Sequence, residues 1–339
     1  MGKKILTGSL AALGILVLIL DGKTAILGAG DAIELCLASV IPSLFPFIIL
    51  SGMLVSVLNG VNSRFLRPVS SFLRIPQGTE GIFLAGILGG YPIGAQCVNQ
   101  AFKSGHITRK NAERMLLFCS NAGPSFLFGI LGAKFASGCA SWALWMIHIL
   151  SAILVARMIP VHMETKTSIS ESRPVTLTQA LKNAVIIMGY ICGWIVLFRI
   201  VLTFLDRWFL WLLPTELRVC VYGIMELANG CLAVDSIPLP GLRFVIASGM
   251  LAFGGLCVAM QTASVTGQLG VKSYMAGKIL QTIISITLSI FVQRMIFPPA
   301  DKMSISLPLL VISTSIPVIC WIIFRKTENK GSIPAIIGV

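Results

Sequence analysis

The sequence predicts an all-α polytopic membrane protein. Hydrophobic residues make up 56% of the 339 residues, charged residues only 12%, and the mean hydropathy is +0.90. Soluble domains carry about a quarter charged residues, and a single soluble core stops growing at about 250–300 residues. Lipid is therefore the expected solvent for most of this chain.

Apolar runs of roughly 20 residues predict about eight transmembrane helices. The first run lacks a small-x-small cleavage site, so a retained span is expected there rather than a signal peptide. The predicted spans cover residues 5–20, 40–59, 112–131, 140–158, 183–205, 243–265, 277–297 and 305–324.

Two further apolar segments, residues 81–102 and 217–238, are interrupted by glycine, proline and polar residues. Each predicts a re-entrant helical hairpin, because broken backbone persists at membrane depth only when protein buries it or when it lines a wet cavity. Two full spans are the alternative. Promoting both segments together leaves the later orientations unchanged, so charge does not decide between the two interpretations.

The net charge of +13 lies in short loops between apolar runs. Most of the 26 Lys and Arg residues, Lys272 and Lys278 among them, fall on one side of the membrane if the N-terminus is inside. This bias predicts cytoplasmic N- and C-termini and contact with a lipid bilayer. The same distribution argues against nucleic acid as a partner.

A polar stretch at residues 160–178 divides the chain into comparable halves. Each half has a span, an interrupted hairpin, a span broken by polar residues and another span, in opposite predicted orientations. Inverted repeats of this kind are typical of secondary transporters. The predicted domains are an N-terminal helix and loop (1–30), a first repeat with hairpin 81–102 (31–159), a cytoplasmic linker (160–178), a second repeat with hairpin 217–238 (179–300), and a C-terminal helix and tail (301–339).

Four polar clusters interrupt apolar segments at corresponding positions of the two halves. Helix breaks free backbone groups near the midplane, and Asn, Gln and Ser side chains add oriented hydrogen bonds to a ligand. The alternative is that the small residues serve close helix packing. The candidate substrate-binding residues are Tyr91, Gly94, Ala95, Gln96, Ser120, Asn121, Ser125, Glu226, Asn229, Gly230, Gln261 and Ser264.

Glu226 is the sharpest single candidate, because an ionisable group inside an apolar stretch is expensive. It could coordinate a cation, carry a proton or bind the ligand directly, and the alternative is an acid at the membrane interface. Arg199 is expected to act as a structural anchor that snorkels. His106 and His148 have no partners at metal or catalytic spacing and are expected to be ordinary.

No enzymatic motif is found. The sequence has no nucleotide-binding G-x-x-x-x-G-K-[ST] loop, no G-x-S-x-G elbow and no H-E-x-x-H motif. The nine cysteines form no C-x-x-C pair, which argues against zinc and disulfides. We expect no enzyme activity, cofactor or metal, with a coupling ion (H⁺ or Na⁺) and a homo-oligomer left open.

Gly-Tyr-Pro-Ile-Gly-Ala at residues 90–95, together with residues 105–108, 112–114 and 118–124, resembles the nucleoside-recognition Gate-domain membrane proteins. Glu-Leu-Ala-Asn-Gly at residues 226–230 resembles a second-half signature within that group. The resemblance covers roughly residues 30–325. It implies a fold similar to concentrative nucleoside transporters, with hairpin tips at residues 94–96 and 226–230.

The resemblance also implies a function. This is secondary transport of a small anionic or aromatic metabolite, dipicolinate first, during endospore formation and in the outer forespore membrane. A nucleoside transporter of the same fold and a non-transporting scaffold for spore-envelope assembly are the alternatives. Ferrous-iron transporters that share the Gate module fit poorly, since there is no GTPase domain.

The charge bias can be tested in the linker. We expect Ser168→Cys to react with a membrane-impermeant maleimide only from the cytoplasmic side, because the linker carries part of the inside charge excess. Labelling in intact cells and in inverted vesicles measures this. Reaction from the outside alone would reject the predicted topology.

Overall fold

The computed structural model describes residues 2–58, 67–159 and 175–302, and every regular element within them is helical. The α-helices are α1 Gly2–Leu20, α2 Gly22–Leu35, α3 Ile41–Leu58, α4 Arg67–Leu73, α5 Glu80–Leu88, α6 Ile93–Lys103, α7 Arg109–Leu116, α8 Pro124–Phe126, α9 Gly138–Met158, α10 Leu177–Trp208, α11 Thr215–Met225, α12 Leu227–Ala233, α13 Pro240–Phe253, α14 Gly255–Thr266 and α15 Lys272–Ile296. Short π-helical segments, Cys36–Val40 and Leu127–Leu131, follow α2 and α8.

Five helical stretches in the described ranges are long and apolar enough to cross a membrane: Gly22–Leu54, Gly138–Met158, Leu177–Trp208, Pro240–Leu269 and Lys272–Ile296. Large apolar side chains on α2, α3 and α10, such as Ile26, Leu50 and Ile186, are more than half exposed. Such surfaces are stable only against lipid. The protein is therefore a multi-pass membrane protein.

The other predicted spans have different outcomes. Residues 5–20 form most of α1 but make a shorter apolar helix. Residues 112–131 are not one span, because α7 ends at Leu116 and helix resumes only at Pro124. The span predicted at 40–59 begins earlier, since helix is continuous from Gly22 through the π-helical turn into α3. Residues 305–324 and most of the 160–178 linker lie outside the described residues.

Residues 81–102 and 217–238 are helix–break–helix segments rather than straight helices. In the first, hairpin one, α5 and α6 pack against each other with Gly86 beside Gly94. A Cβ atom on either glycine would overlap the carbonyl oxygen of Cys119, so only glycine permits this approach. In the second, hairpin two, α11 and α12 meet through Gly223 and Gly230, and the break is at Glu226.

The break between α13 and α14 lies at Gly254 and Gly255, which have φ of +80° and +84°. Two adjacent residues in left-handed backbone interrupt a helix and require glycine. The predicted interruption at residues 261–267 is wrong in position, because Gln261 and Ser264 lie inside the continuous helix α14. Their polar side chains are compatible with helical backbone, whereas the positive φ angles of Gly254 and Gly255 are not.

Contacts between the two halves occur at both ends of α9, which is about 30 Å long at 1.5 Å per residue. Just before its first residue, Lys134 Nζ lies 2.8 Å from Asp235 Oδ2. Toward its last turn, the contacts are Asn99 Nδ2 to Val265 O at 2.7 Å and Arg109 Nη2 to Gln268 O at 3.2 Å. We call these two groups of contacts, Lys134 with Asp235 and Asn99 with Val265 together with Arg109 with Gln268, the clasps. The core lies between them.

Arg114 on α7 joins the C-terminal ends of two helices. Its guanidinium donates to the carbonyl oxygens of Leu73 and Arg74 at the end of α4, and of Ala156 in the last turn of α9. Burial lowers the pKa of Arg114 to about 10, so the side chain stays charged at neutral pH. The cation satisfies carbonyls that have no partner within their own helices.

Hairpin one should be intolerant of a single added methyl group. Gly94→Ala should lower the free energy of unfolding by about 1–3 kcal/mol, because overpacking forces the backbone of Cys119 to move. The thermal unfolding midpoint of detergent-purified protein measures this. Gly193→Ala in α10 is the control, since its Cβ meets no atom within 4 Å; equal midpoints for the two variants would contradict the packing.

Candidate functional site

A small cavity lies where broken segments from both halves meet. Its volume is about 40 Å³, enough for two or three water molecules. The broken segments, which are hairpin one, the break before α8, hairpin two and α14, line it with Gly90, Tyr91, Ala122, Gly123, Phe126, Glu226, Leu227, Ala228, Val258 and Gln261. The rest of the lining comes from the π-helical turn, α3 and α10: Val40, Leu44, Ile191 and Ile195. The walls are apolar apart from Tyr91, Glu226 and Gln261.

The structure brings some of the predicted site residues together and separates others. Tyr91, Glu226 and Gln261 line the cavity. Asn121 and Asn229 lie just behind the wall, where each binds a charged side chain. The remaining candidates do not line it: Gly94 and Gly230 pack within the hairpins, Ala95, Ser120, Gln96 and Ser125 are buried or half-buried, and Ser264 is exposed beside Trp194.

Glu226 caps hairpin two. Its backbone is extended, with φ −145° and ψ 119°, and its carboxylate accepts from the backbone N–H groups of Ala228 at 3.0 Å and Asn229 at 2.7 Å. The Asn229 side-chain amide donates a third bond at 2.6 Å. The side chain is 2% exposed, so it is not an acid on the protein surface. Three N–H donors stabilise the ionised carboxylate, whereas its burial favours the protonated form.

Arg199 is linked to the Glu226 carboxylate by hydrogen bonds through the side chain of Asn229. The guanidinium on α10 donates to Asn229 Oδ1 at 3.0 Å and pairs with Asp31 on α2 at 2.9 Å. Arg199, which the sequence predicts to be a structural anchor, therefore links α2, α10 and hairpin two through its contacts with Asp31 and Asn229. Because Asn229 donates to Glu226 and accepts from Arg199, its amide orientation is fixed.

Lys278 on α15 is the largest departure from expectation. The sequence places it with the cytoplasmic charges, yet its side chain is 0% exposed. Its ammonium donates to Gln281 Oε1 at 2.5 Å, Tyr91 Oη at 3.3 Å and Asn121 Oδ1 at 3.5 Å. It also lies 5.1 Å from the ring centroid of Tyr91 and 5.7 Å from that of Tyr274. A buried cation thus stands directly behind the Tyr91 wall of the cavity.

His148 on α9 supplies a hydrogen-bond acceptor to the backbone at the break before α8. Its Nε2 atom accepts from the backbone N–H of Ala122 at 2.9 Å, which requires an unprotonated Nε2 and a neutral ring. Its own carbonyl accepts from the Gln281 side-chain amide at 3.2 Å. His148 is therefore not ordinary, because it satisfies a backbone group that the broken helix leaves free.

A second sequence pattern, different from the polar interruptions, indicates this buried network. Along α15 the polar residues Lys278, Gln281, Ser285, Ser289 and Gln293 recur every three or four positions, and all are buried. Such spacing places them on one helix face. A polar face on a spanning helix indicates an interior surface rather than a loop.

The composition of the cavity wall limits which ligands it could hold. Among the described residues, no group of three or more His, Cys, Asp and Glu side chains could hold a metal ion. The surface that faces the cavity is almost entirely apolar, although Tyr91, Glu226 and Gln261 are among the lining residues. This combination suits a small, partly apolar ligand with hydrogen-bonding groups.

The fold and the site define a multi-pass α-helical membrane protein with an internal polar site at helix breaks. No family model and no solved structure matches the chain. It is distantly related to the sporulation integral membrane protein YlbJ of Bacillus subtilis (strain 168), with 26% identity over 293 residues and coverage of 71% of each chain. The similarity to the Gate-domain family remains a prediction.

The cap on hairpin two can be tested by stability. Glu226→Gln should lower the free energy of unfolding by about 1–3 kcal/mol, because one of three N–H donors would then face an amide NH₂ group. Thermal unfolding in detergent measures it. Glu216→Gln, in the first turn of α11, makes the same chemical change in the same hairpin and should leave the midpoint unchanged; a matching loss would argue against the cap.

Proposed function

We propose that this chain is a secondary transporter of a small anionic or aromatic metabolite, with dipicolinate during endospore formation as the first candidate. The carrying observation is the cavity that two hairpins and two broken segments line jointly. Helix breaks are stable inside a membrane protein where they serve an internal site. The relative's name supports a role in sporulation.

The architecture belongs to the same proposal. The two hairpins are re-entrant, and the halves 31–159 and 179–300 are inverted repeats around the cavity. The same order of elements in each half supports this: α3, hairpin one, α7–α8 and α9, then α10, hairpin two, α13–α14 and α15. The N- and C-termini face the cytoplasm, the membrane is the outer forespore membrane, and H⁺ or Na⁺ is the coupling ion.

The cavity volume indicates what transport would require. About 40 Å³ does not admit a pyridine dicarboxylate, so the structure corresponds to a closed arrangement. Substrate access needs one end of the bundle to open at a time. The clasps at the two ends of α9, Lys134 with Asp235 and Asn99 with Val265, are the contacts that would separate.

A neutral nucleoside is the second candidate. The observation that favours it is that Glu226 and Gln261 are both lining residues of the cavity, because ribose hydroxyls could donate to a carboxylate that turned toward the cavity. A dianion would meet repulsion from the same group. The charge balance of the site therefore decides between the two substrates.

Transport can be measured in proteoliposomes. We expect the purified protein to take up dipicolinate in preference to uridine under an imposed H⁺ or Na⁺ gradient. Gln261→Leu should reduce the initial rate about tenfold, the scale of one buried hydrogen bond.

Ser264→Ala is the matched control on the same helix, because its hydroxyl faces Trp194 outside the cavity. Its uptake should equal that of the wild type. Preference for uridine would select the nucleoside function. Absence of uptake of either compound would leave a scaffold in spore-envelope assembly as the better function.

A further inference from the structure

Lys278 is a buried charged group whose hydrogen-bond partners in the described part of the chain are neutral acceptors: Tyr91, Asn121 and Gln281. The amide nitrogen of Asn121 donates to Phe118 O at 2.8 Å, and that of Gln281 donates to His148 O at 3.2 Å. Both amide orientations are thereby fixed, and both side-chain oxygens point to the Lys278 nitrogen.

The network requires an ammonium. Tyr91 donates its hydroxyl hydrogen to Leu251 O at 3.1 Å, so its oxygen can only accept from Lys278. Three acceptors therefore face one nitrogen, and only the protonated amine has three hydrogens to donate. The aromatic rings of Tyr91 and Tyr274 also favour a cation at this position.

Among the residues that the structure describes, no counter-ion is hydrogen-bonded to this charge. Tyr91, Asn121 and Gln281 are all neutral, and the nearby His148 ring is neutral as well. The one carboxylate in the cavity wall, Glu226, is engaged by Ala228 and Asn229 on the opposite hairpin. Burying a charge without a counter-ion has a large desolvation cost in free energy. A purely structural role for Lys278 would leave that cost without compensation.

We propose that Lys278 is the specificity-determining charge of the transport site, and that it balances a carboxylate group of the substrate across Tyr91. The inference rests on the proposed function. Tyr91 lies both in the cavity wall and against the ammonium, so a carboxylate in the cavity would accept from the Tyr91 hydroxyl in place of Leu251. The cation strengthens that donor and attracts the anion through a low-dielectric interior.

Gln281 offers a test that leaves the lysine in place. Gln281→Glu puts a carboxylate where an amide oxygen now lies 2.5 Å from Lys278 Nζ, and so supplies the missing counter-ion from within the protein. The site should then lose its attraction for an anionic substrate. Gln179→Glu is the control, because it adds the same charge at an exposed position in the first turn of α10.

The ligands are dipicolinate and its neutral diamide, which share one shape and differ in charge. The readouts are initial uptake and the ligand-induced shift in unfolding midpoint. We expect wild type and Gln179→Glu to prefer dipicolinate, and Gln281→Glu and Lys278→Gln to lose that preference by about tenfold or more, the scale of one charge–charge interaction inside a protein.

Each outcome is decisive. Unchanged discrimination in Gln281→Glu, with dipicolinate uptake intact, overturns the role of Lys278 and leaves the transporter proposal standing. Wild-type protein that takes up neither compound overturns the proposed function. The inference is then judged on the midpoint shifts, and equal shifts for dianion and diamide overturn it. Should Lys278→Gln not fold, Gln281→Glu still decides, since it keeps Lys278; its unfolding midpoint without ligand shows whether the fold tolerates the loss of the amide bonds to Asn121 and His148.

Discussion

The need to satisfy backbone hydrogen bonds inside the protein controls this structure, because lipid offers none to a broken helix. At the break between α7 and α8, His148 accepts from Ala122 N–H and Asn121 donates to Phe118 O. At the break in hairpin two, Glu226 accepts from the next turn. The side chains that make breaks tolerable are also the polar groups around the cavity. Stability and site chemistry therefore depend on the same residues.

Glycine contacts bring these groups within reach of one another. The carbonyl of Cys119 lies against Gly86 and Gly94 of hairpin one, and the carbonyl of Leu117 lies against Gly277 of α15. The broken segment is thus held between two elements that it approaches closely through glycine backbone. Since α15 approaches this closely at Gly277, the next residue, Lys278, reaches Asn121 and hairpin one. Backbone packing, more than any charge pairing, determines where this ammonium lies.

The sequence allowed much of the fold to be predicted, and less of the site. Length and hydropathy of apolar runs depend on local composition, so the long spans and the two interrupted segments were found. The polar residues of α14 predict a break later than the observed one at Gly254, because positive φ at the paired glycines, and not polarity, interrupts the helix. Hydropathy alone assigns Lys278 to a loop, since a hydropathy window does not register a helix face. Only tertiary packing brings Tyr91, Asn121 and Lys278 together across the two halves.

The two clasps at the ends of α9 differ in electrostatic character. One contains the ion pair of Lys134 with Asp235, whose side chains are 24% and 48% exposed. The other contains bonds to two backbone carbonyls, from the Asn99 amide to Val265 and from the Arg109 guanidinium to Gln268. Dissolved salt screens exposed ion pairs more strongly than hydrogen bonds to uncharged acceptors. Higher ionic strength therefore weakens the Lys134 end of the bundle more than the Asn99 end. In concentrated salt the two ends would thus be held closed with unequal strength.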